Sequence, residues 1–132
     1  MGLRTDVAIF DFSKAFDSVS HRRLLAKIES YGIRGTTLSW IKSFLSDRLQ
    51  RVVINGSQSP WSPVISGVPQ GTVLGPLLFL LYINDITAGI RSDIRLFADD
   101  CILYRTIHSS SDVDILQDDI NKLLLWSRTW QM

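Results

Sequence analysis

Two adjacent carboxylates, Asp99 and Asp100, constrain this chain more than any other feature, because both flanking stretches, residues 94–97 and 101–104, are dominated by apolar side chains. Such a pattern predicts strand, turn, strand, with both acids at the tip of a hairpin. Carboxylates held ~4 Å apart repel by about 4 kcal/mol at an effective dielectric of 20, so a site that gathers them needs a cation, a proton or solvent between them. An Asp-Asp pair alone is equally a solvated turn, since Asp is a common turn residue.

A third acid changes the balance. Asp11 closes the apolar run of residues 7–10 and opens Asp11-Phe12-Ser13-Lys14-Ala15-Phe16-Asp17. If the two apolar runs are neighbouring strands, Asp11 can converge with Asp99 and Asp100 at one end of a sheet, as oxygen ligands for a hard ion such as Mg²⁺. Three carboxylates suffice for two ions, and ions ~3.5–4 Å apart suit in-line phosphoryl transfer. Zinc chemistry is excluded on supply, because the chain has one cysteine, Cys101, and two histidines, His21 and His108, with no zinc-site spacing.

Between the acids lies Gly67-Val68-Pro69-Gln70-Gly71-Thr72-Val73-Leu74-Gly75-Pro76, then the apolar stretch 77–83. Glycine and proline punctuation predicts a loop followed by a buried helix. Within that loop Gln70 alone carries an amide able both to donate and to accept hydrogen bonds. Read without context, it is a turn-stabilising polar residue.

The three segments together, in this order, resemble the palm motifs of reverse transcriptases, and most closely those of LINE-type (non-LTR) retrotransposons. The resemblance runs from about Val7 to the C-terminus. It implies that Asp11, Asp99 and Asp100 are the catalytic, metal-binding acids, with Asp11 and Asp99 the principal ligands and Asp100 in support. It implies that Phe16 is the aromatic gate against the sugar of the incoming nucleotide, disfavouring a 2′-hydroxyl. Gln70 and Gly71 correspond to the Pro-Gln-Gly element lining the nucleotide pocket near the template. Phe97 and Ala98 stand where retroviral relatives usually carry Tyr and a hydrophobic residue, and the resemblance implies that the Phe-Ala form is the one expected of the LINE-like branch. The implied cofactor is Mg²⁺, two ions, with Mn²⁺ as a substitute; the implied partners are an RNA template, a DNA primer and a deoxynucleoside triphosphate.

Read as packing rather than function, Phe16 is a core aromatic following an apolar strand. Asp17 reads as a helix-start or loop acid, and Asp118-Asp119, lying in a helical pattern, as a solvated face.

At 132 residues the chain is read as one domain, 1–132, with a 45% hydrophobic and 20% charged composition that suits a globular protein. Its single cysteine favours a reducing intracellular setting, cytoplasmic or nuclear, and the apolar run from Thr72 to Ile83, too short to span a bilayer and broken by Gly75 and Pro76, favours no membrane. A formal charge of +1 is low for a protein that must hold a primer and template through many phosphates. Basic residues gather at His21-Arg22-Arg23 and along Lys42, Arg48 and Arg51, as solvated faces or nucleic-acid contacts.

Along the chain the pattern predicts a strand at 7–10, a helix at about 21–30 capped by Ser20 and stopped near Gly32, and a second helix from Thr36 or Thr37. A strand at 49–54 follows, with Asn55-Gly56 as a hairpin turn and a return strand toward 64–65. The Gln70 loop, a helix to about Asp85 and the acid-bearing hairpin come next. Ser111 with Asp114 resembles a capping box opening a last helix.

The implied architecture is α+β, a polymerase palm-like antiparallel sheet with helices packed on one face. Only six residues precede the first strand, and the resemblance implies a truncated palm core without fingers, thumb or endonuclease. Because positioning supplies much of the rate in phosphoryl transfer, the isolated chain is expected to be inactive. Two alternatives remain open at this stage, a non-catalytic palm-fold relic or interaction module and a two-metal nuclease. The Pro-Gln-Gly loop and Phe16 argue against the nuclease, which has no nucleotide sugar to inspect.

Overall fold

The computed structural model describes residues 3–132. They form two compact units, one made of the residues up to Ala15 together with Ile83–Met132, the other of Phe16–Tyr82.

The first unit is built on a three-stranded antiparallel sheet of order β1-β7-β6, from β1 (Arg4–Asp11), β6 (Asp93–Phe97) and β7 (Asp100–Ile107). Alternation along β7 separates the two faces: Cys101 and Leu103 are buried, while Asp100 and Ile102 are exposed. Directly paired residues of an antiparallel ladder share a face, so Phe10 pairs Cys101 and Ala8 pairs Leu103 on the covered side. Helix α5 (Ser110–Trp130) packs against β7 there, with Leu116 and Leu123 buried. The opposite face is open. It carries Val7, Ile9 and Phe97, 57%, 74% and 81% exposed, and at its end Asp11 and Asp100. One face covered and one open is the expected α+β arrangement with helix on a single side.

Helix α5 starts earlier than its sequence pattern suggests. The reciprocal cap is built from Ser109 and Asp112, not Ser111 and Asp114: the Ser109 N–H donates to Asp112 Oδ2 at 3.1 Å. Asp112 is favoured at this place because it also accepts the N–H of His108 (3.1 Å) and pairs with Arg105 on β7 (2.8 Å). Asp114 lies two residues beyond that last capping position.

The second unit contains α1 (Ala15–Ser18, shared at its start with the first), α2 (His21–Ser30), α3 (Gly35–Leu45), most of α4 (Leu74–Ile83) and two small two-stranded sheets. Helix α2 begins after Ser20 as expected, although no Ser20 side-chain cap bond forms, and the chain turns at Gly32, φ +94°. Leu24, Ile28, Ile41, Leu45, Leu78, Phe79 and Tyr82 are buried. The Lys27 stem is buried with them, its ammonium donating to the Tyr82 carbonyl and lying 5.0 Å from that ring's centre.

The strand expected at 49–54 is two strands, β2 (Leu49–Gln50) and β3 (Val53–Ile54), paired with β5 (Ser62–Pro63) and β4 (Ser57–Gln58). Register explains the break. Gln50 pairs Ser62 but Val53 pairs Gln58, so Ser59, Pro60 and Trp61 oppose only Arg51 and Val52. An extra residue on one side, with Pro60 unable to donate, interrupts the ladder as a bulge does. The Asn55-Gly56 turn forms as predicted, with φ of 48° and 81°. Helix α4 also differs from expectation: Leu78, Phe79 and Tyr82 are buried, but Leu77 and Leu80 are exposed, so only one side of this apolar helix is covered.

Candidate active site

Asp11 is the last residue of β1 and Asp100 the first of β7, and the register sets them directly opposite each other. They therefore lie on the same open face. Asp99, next to Asp100 in the chain, is the second residue of the two-residue turn joining β6 to β7. Ala98, the first turn residue, has φ +52°, the left-handed conformation that a two-residue hairpin loop demands and that costs a non-glycine about 1–2 kcal/mol.

Among the described residues no group of three His, Cys, Asp or Glu side chains is gathered as a ready-made metal cage. For magnesium none is required. That ion is ordinarily held by one or two carboxylates, with water and substrate phosphates completing its shell. The donor chemistry of Asp11, Asp99 and Asp100 fits a hard cation of this kind, on a face that a phosphate-bearing ligand can reach. A soft site is not on offer: Cys101 is buried on the other face of the sheet, and desolvation pushes its thiol up to about 11.

The strands of the acid-bearing hairpin and its neighbour are held from behind, β1 at its acid end and β6 at the opposite end. Phe12, which follows Asp11, is buried and packs on Trp126 of α5, ring centres 6.1 Å apart; the Trp126 indole N–H donates to Asp85 Oδ1 at 2.8 Å. The start of β6 is held by Asp119. Its Oδ2 accepts the backbone N–H groups of Arg91 (3.0 Å) and Ser92 (2.8 Å), and its Oδ1 meets Lys122 at 3.2 Å.

Asp119 is fully buried, which corrects the expectation of a solvated Asp118-Asp119 face; only Asp118 is exposed, paired with Lys122 and Arg91. Burial pushes the Asp119 carboxyl up, but hydrogen bonds from Ser92, the Arg91 N–H and Lys122 outweigh it and leave the group below its ordinary range. The sequence does carry a signal for this. Asp119 falls between Leu116 and Leu123 on the apolar stripe of α5, so a carboxylate there must be buried with partners.

The other expected site residues belong to the second unit. Phe16 stacks on Phe79, ring centres 4.3 Å apart and planes 26° apart, which leaves it half-buried. Gln70 and Gly71 are exposed in the loop before α4, and Gln70 Nε2 donates to Asp17 Oδ1 at 3.2 Å.

Residues 3–132 match the family described as reverse transcriptase (RNA-dependent DNA polymerase). This chain belongs to that family. Among its relatives is the probable RNA-directed DNA polymerase from transposon X-element of Drosophila melanogaster, 34% identical over 128 residues, 92% of this chain and 14% of the relative. A second is the RNA-directed DNA polymerase from mobile element jockey of the same organism, 31% identical over 134 residues, 95% and 14%. A retrovirus-related Pol polyprotein from type-1 retrotransposable element R2 of Popillia japonica is 28% identical over 92 residues, 70% and 15%. The reverse transcriptase likeness is thus to non-LTR, LINE-type elements, and the chain spans about one-seventh of the length of these relatives. Among the described residues no helix is long and apolar enough to cross a membrane.

Proposed function

We propose that these 132 residues are the palm core of an RNA-directed DNA polymerase, the part that binds divalent metal and the incoming deoxynucleotide. The observation that carries this reading is the register pairing of Asp11 with Asp100, beside Asp99, on the open end of the sheet. Like charges set directly opposite across a ladder destabilise it, so an arrangement of this kind is best explained by a cation it serves.

The reaction is attack of a primer 3′-hydroxyl on the α-phosphorus of a deoxynucleoside triphosphate. A new O–P bond forms, the α–β bond breaks, pyrophosphate leaves and the hydroxyl proton is lost. Asp11 and Asp99 are assigned as principal ligands for two magnesium ions and Asp100 as support; ions bound there would lower the cost of charge on the attacking and leaving oxygens. Phe16 is assigned to the sugar and the Gln70–Gly71 loop to the nucleotide near the template. An RNA template and a DNA primer are the proposed partners, and an intracellular compartment the proposed setting.

Isothermal titration with Mn²⁺ is the direct test: binding should be seen with the wild-type chain and be lost in Asp11→Asn and Asp99→Asn. Absence of carboxylate-dependent binding would instead favour a palm fold that no longer works on nucleotides. Extension of a primed RNA template by the chain alone should be negligible. Positioning groups account for much of the rate in phosphoryl transfer, and the chain corresponds to 14% of the length of its relatives.

A further inference from the structure

Residues 16–21 and 66–70 are far apart in sequence and locked together in the fold. The N–H groups of Gly67 and Val68 donate to the carbonyls of Val19 and Phe16, both at 2.8 Å. Ser66 Oγ donates to the Asp17 carbonyl at 2.8 Å, and His21 Nε2 donates to the Gly67 carbonyl at 2.7 Å. Gly67 has φ +89°, and a Cβ there would lie 2.8 Å from Asp17 Cα and 2.9 Å from two backbone oxygens. The far side of the loop is closed by Thr72, whose Oγ1 donates to the Pro69 carbonyl (2.7 Å) and accepts the Gly75 N–H (3.0 Å).

These bonds hold the loop backbone without any help from the Asp17 carboxylate. That carboxylate makes a different contact, accepting Gln70 Nε2 at 3.2 Å. An ionised carboxylate can only accept, whereas either end of a glutamine amide can turn toward a neighbour that both donates and accepts. Asp17 therefore dictates which way the Gln70 amide faces. We infer that Asp17 is a positioning residue: by holding Nε2 it presents Gln70 Oε1 as the acceptor offered to a ligand, so the group Gln70 recognises is a hydrogen-bond donor. The inference deepens the nucleotide-pocket assignment of Gln70 and rests on it for its functional meaning.

The test is solution NMR of the intact chain, following the Gln70 side-chain amide. In the wild type its two Nε2 protons should exchange with solvent unequally, the one facing Asp17 slower by about two- to tenfold, the factor a net hydrogen bond corresponds to. Asp17→Asn, nearly isosteric but able to donate, and Asp17→Ala should bring the two rates together while the Gly67 and Val68 N–H groups stay protected. If the alanine variant does not fold, the asparagine variant carries the test. Equal rates in the wild type, or an inequality that survives both substitutions, overturns the proposal. Addition of dTTP with Mg²⁺ to the wild type separates the two questions. An ordered Gln70 amide that dTTP leaves unmoved would keep Asp17 as its positioner and remove the loop from the nucleotide site.

Discussion

Asp100 shows at the level of one residue how function can oppose stability. It faces Asp11 across the ladder, and like charges so placed destabilise a sheet by roughly 0.2–1 kcal/mol. Asp100→Asn should therefore raise the urea midpoint slightly while weakening Mn²⁺ binding by calorimetry. A variant that is less stable than wild type would contradict the like-charge account. Phe16 makes a separate forecast. Its ring is stacked on Phe79 and half-buried, so Phe16→Val removes a surface as well as packing. In a polymerase carrying this palm, Phe16→Val should raise ribonucleotide incorporation relative to deoxynucleotide; unchanged sugar discrimination takes Phe16 out of the site. Asp119 departs from the solvated-face pattern because two adjacent acids on a helix point about 100° apart, so Asp119 faces the core while Asp118 faces water.

Among the elements, helix α5 does most to place the hairpin. It lines the covered face of the sheet, holds Phe12 through Trp126 and anchors residues 91–92, just before β6, through Asp119. Asp119→Ala leaves two backbone N–H groups and part of Lys122 without that partner, and at roughly 1–3 kcal/mol for each buried group left unpaired it should be among the more damaging single changes to the unit. Chemical denaturation measures the loss, and a change under about 0.5 kcal/mol would show that water replaces the carboxylate. The start of the same helix should respond to pH. The Arg105 side chain, then the His108 N–H, hold the Asp112 carboxyl below its ordinary value. A depressed folded value means that the stabilisation is fully present above the unfolded value near pH ~4 and is lost as pH falls through the folded one. Amide exchange at the first turn of α5 should therefore accelerate below about pH 4, and less so in Asp112→Asn, which cannot titrate.

At the scale of the molecule, charge limits what the chain does by itself. A formal charge of +1 offers few sites for counterion release, so binding to a primed RNA template should be no tighter than non-specific, a Kd of about 10⁻⁴–10⁻⁶ M at physiological salt. Fluorescence anisotropy across a salt series checks this, and a nanomolar Kd with a shallow salt slope would overturn it. Much of the fold was legible beforehand because local rules decide it. Apolar runs on both sides of the Asp pair declared the acid-bearing hairpin, Asn55-Gly56 declared the turn between β3 and β4, and apolar periodicity declared α2 and α3. What failed were features set by partners distant in sequence. The one-residue slip that splits residues 49–54 depends on which residues of the return strand pair, and the start of α5 depends on Arg105 waiting on β7.

From the sequence alone came the kinds of groups present and their order along the chain: three carboxylates beside apolar strands, a glycine-rich loop carrying Gln70, and an aromatic after the first acid. Those follow from composition and short-range pattern, which need no knowledge of what lies across the sheet. Only the tertiary structure decided that Asp11 faces Asp100, that Asp119 is interior, and that Asp17 holds the amide of Gln70. Each of these is a pairing between residues remote in sequence or a direction of burial, and such relations are settled when the chain closes on itself, by register, packing and the need of buried polar groups for partners.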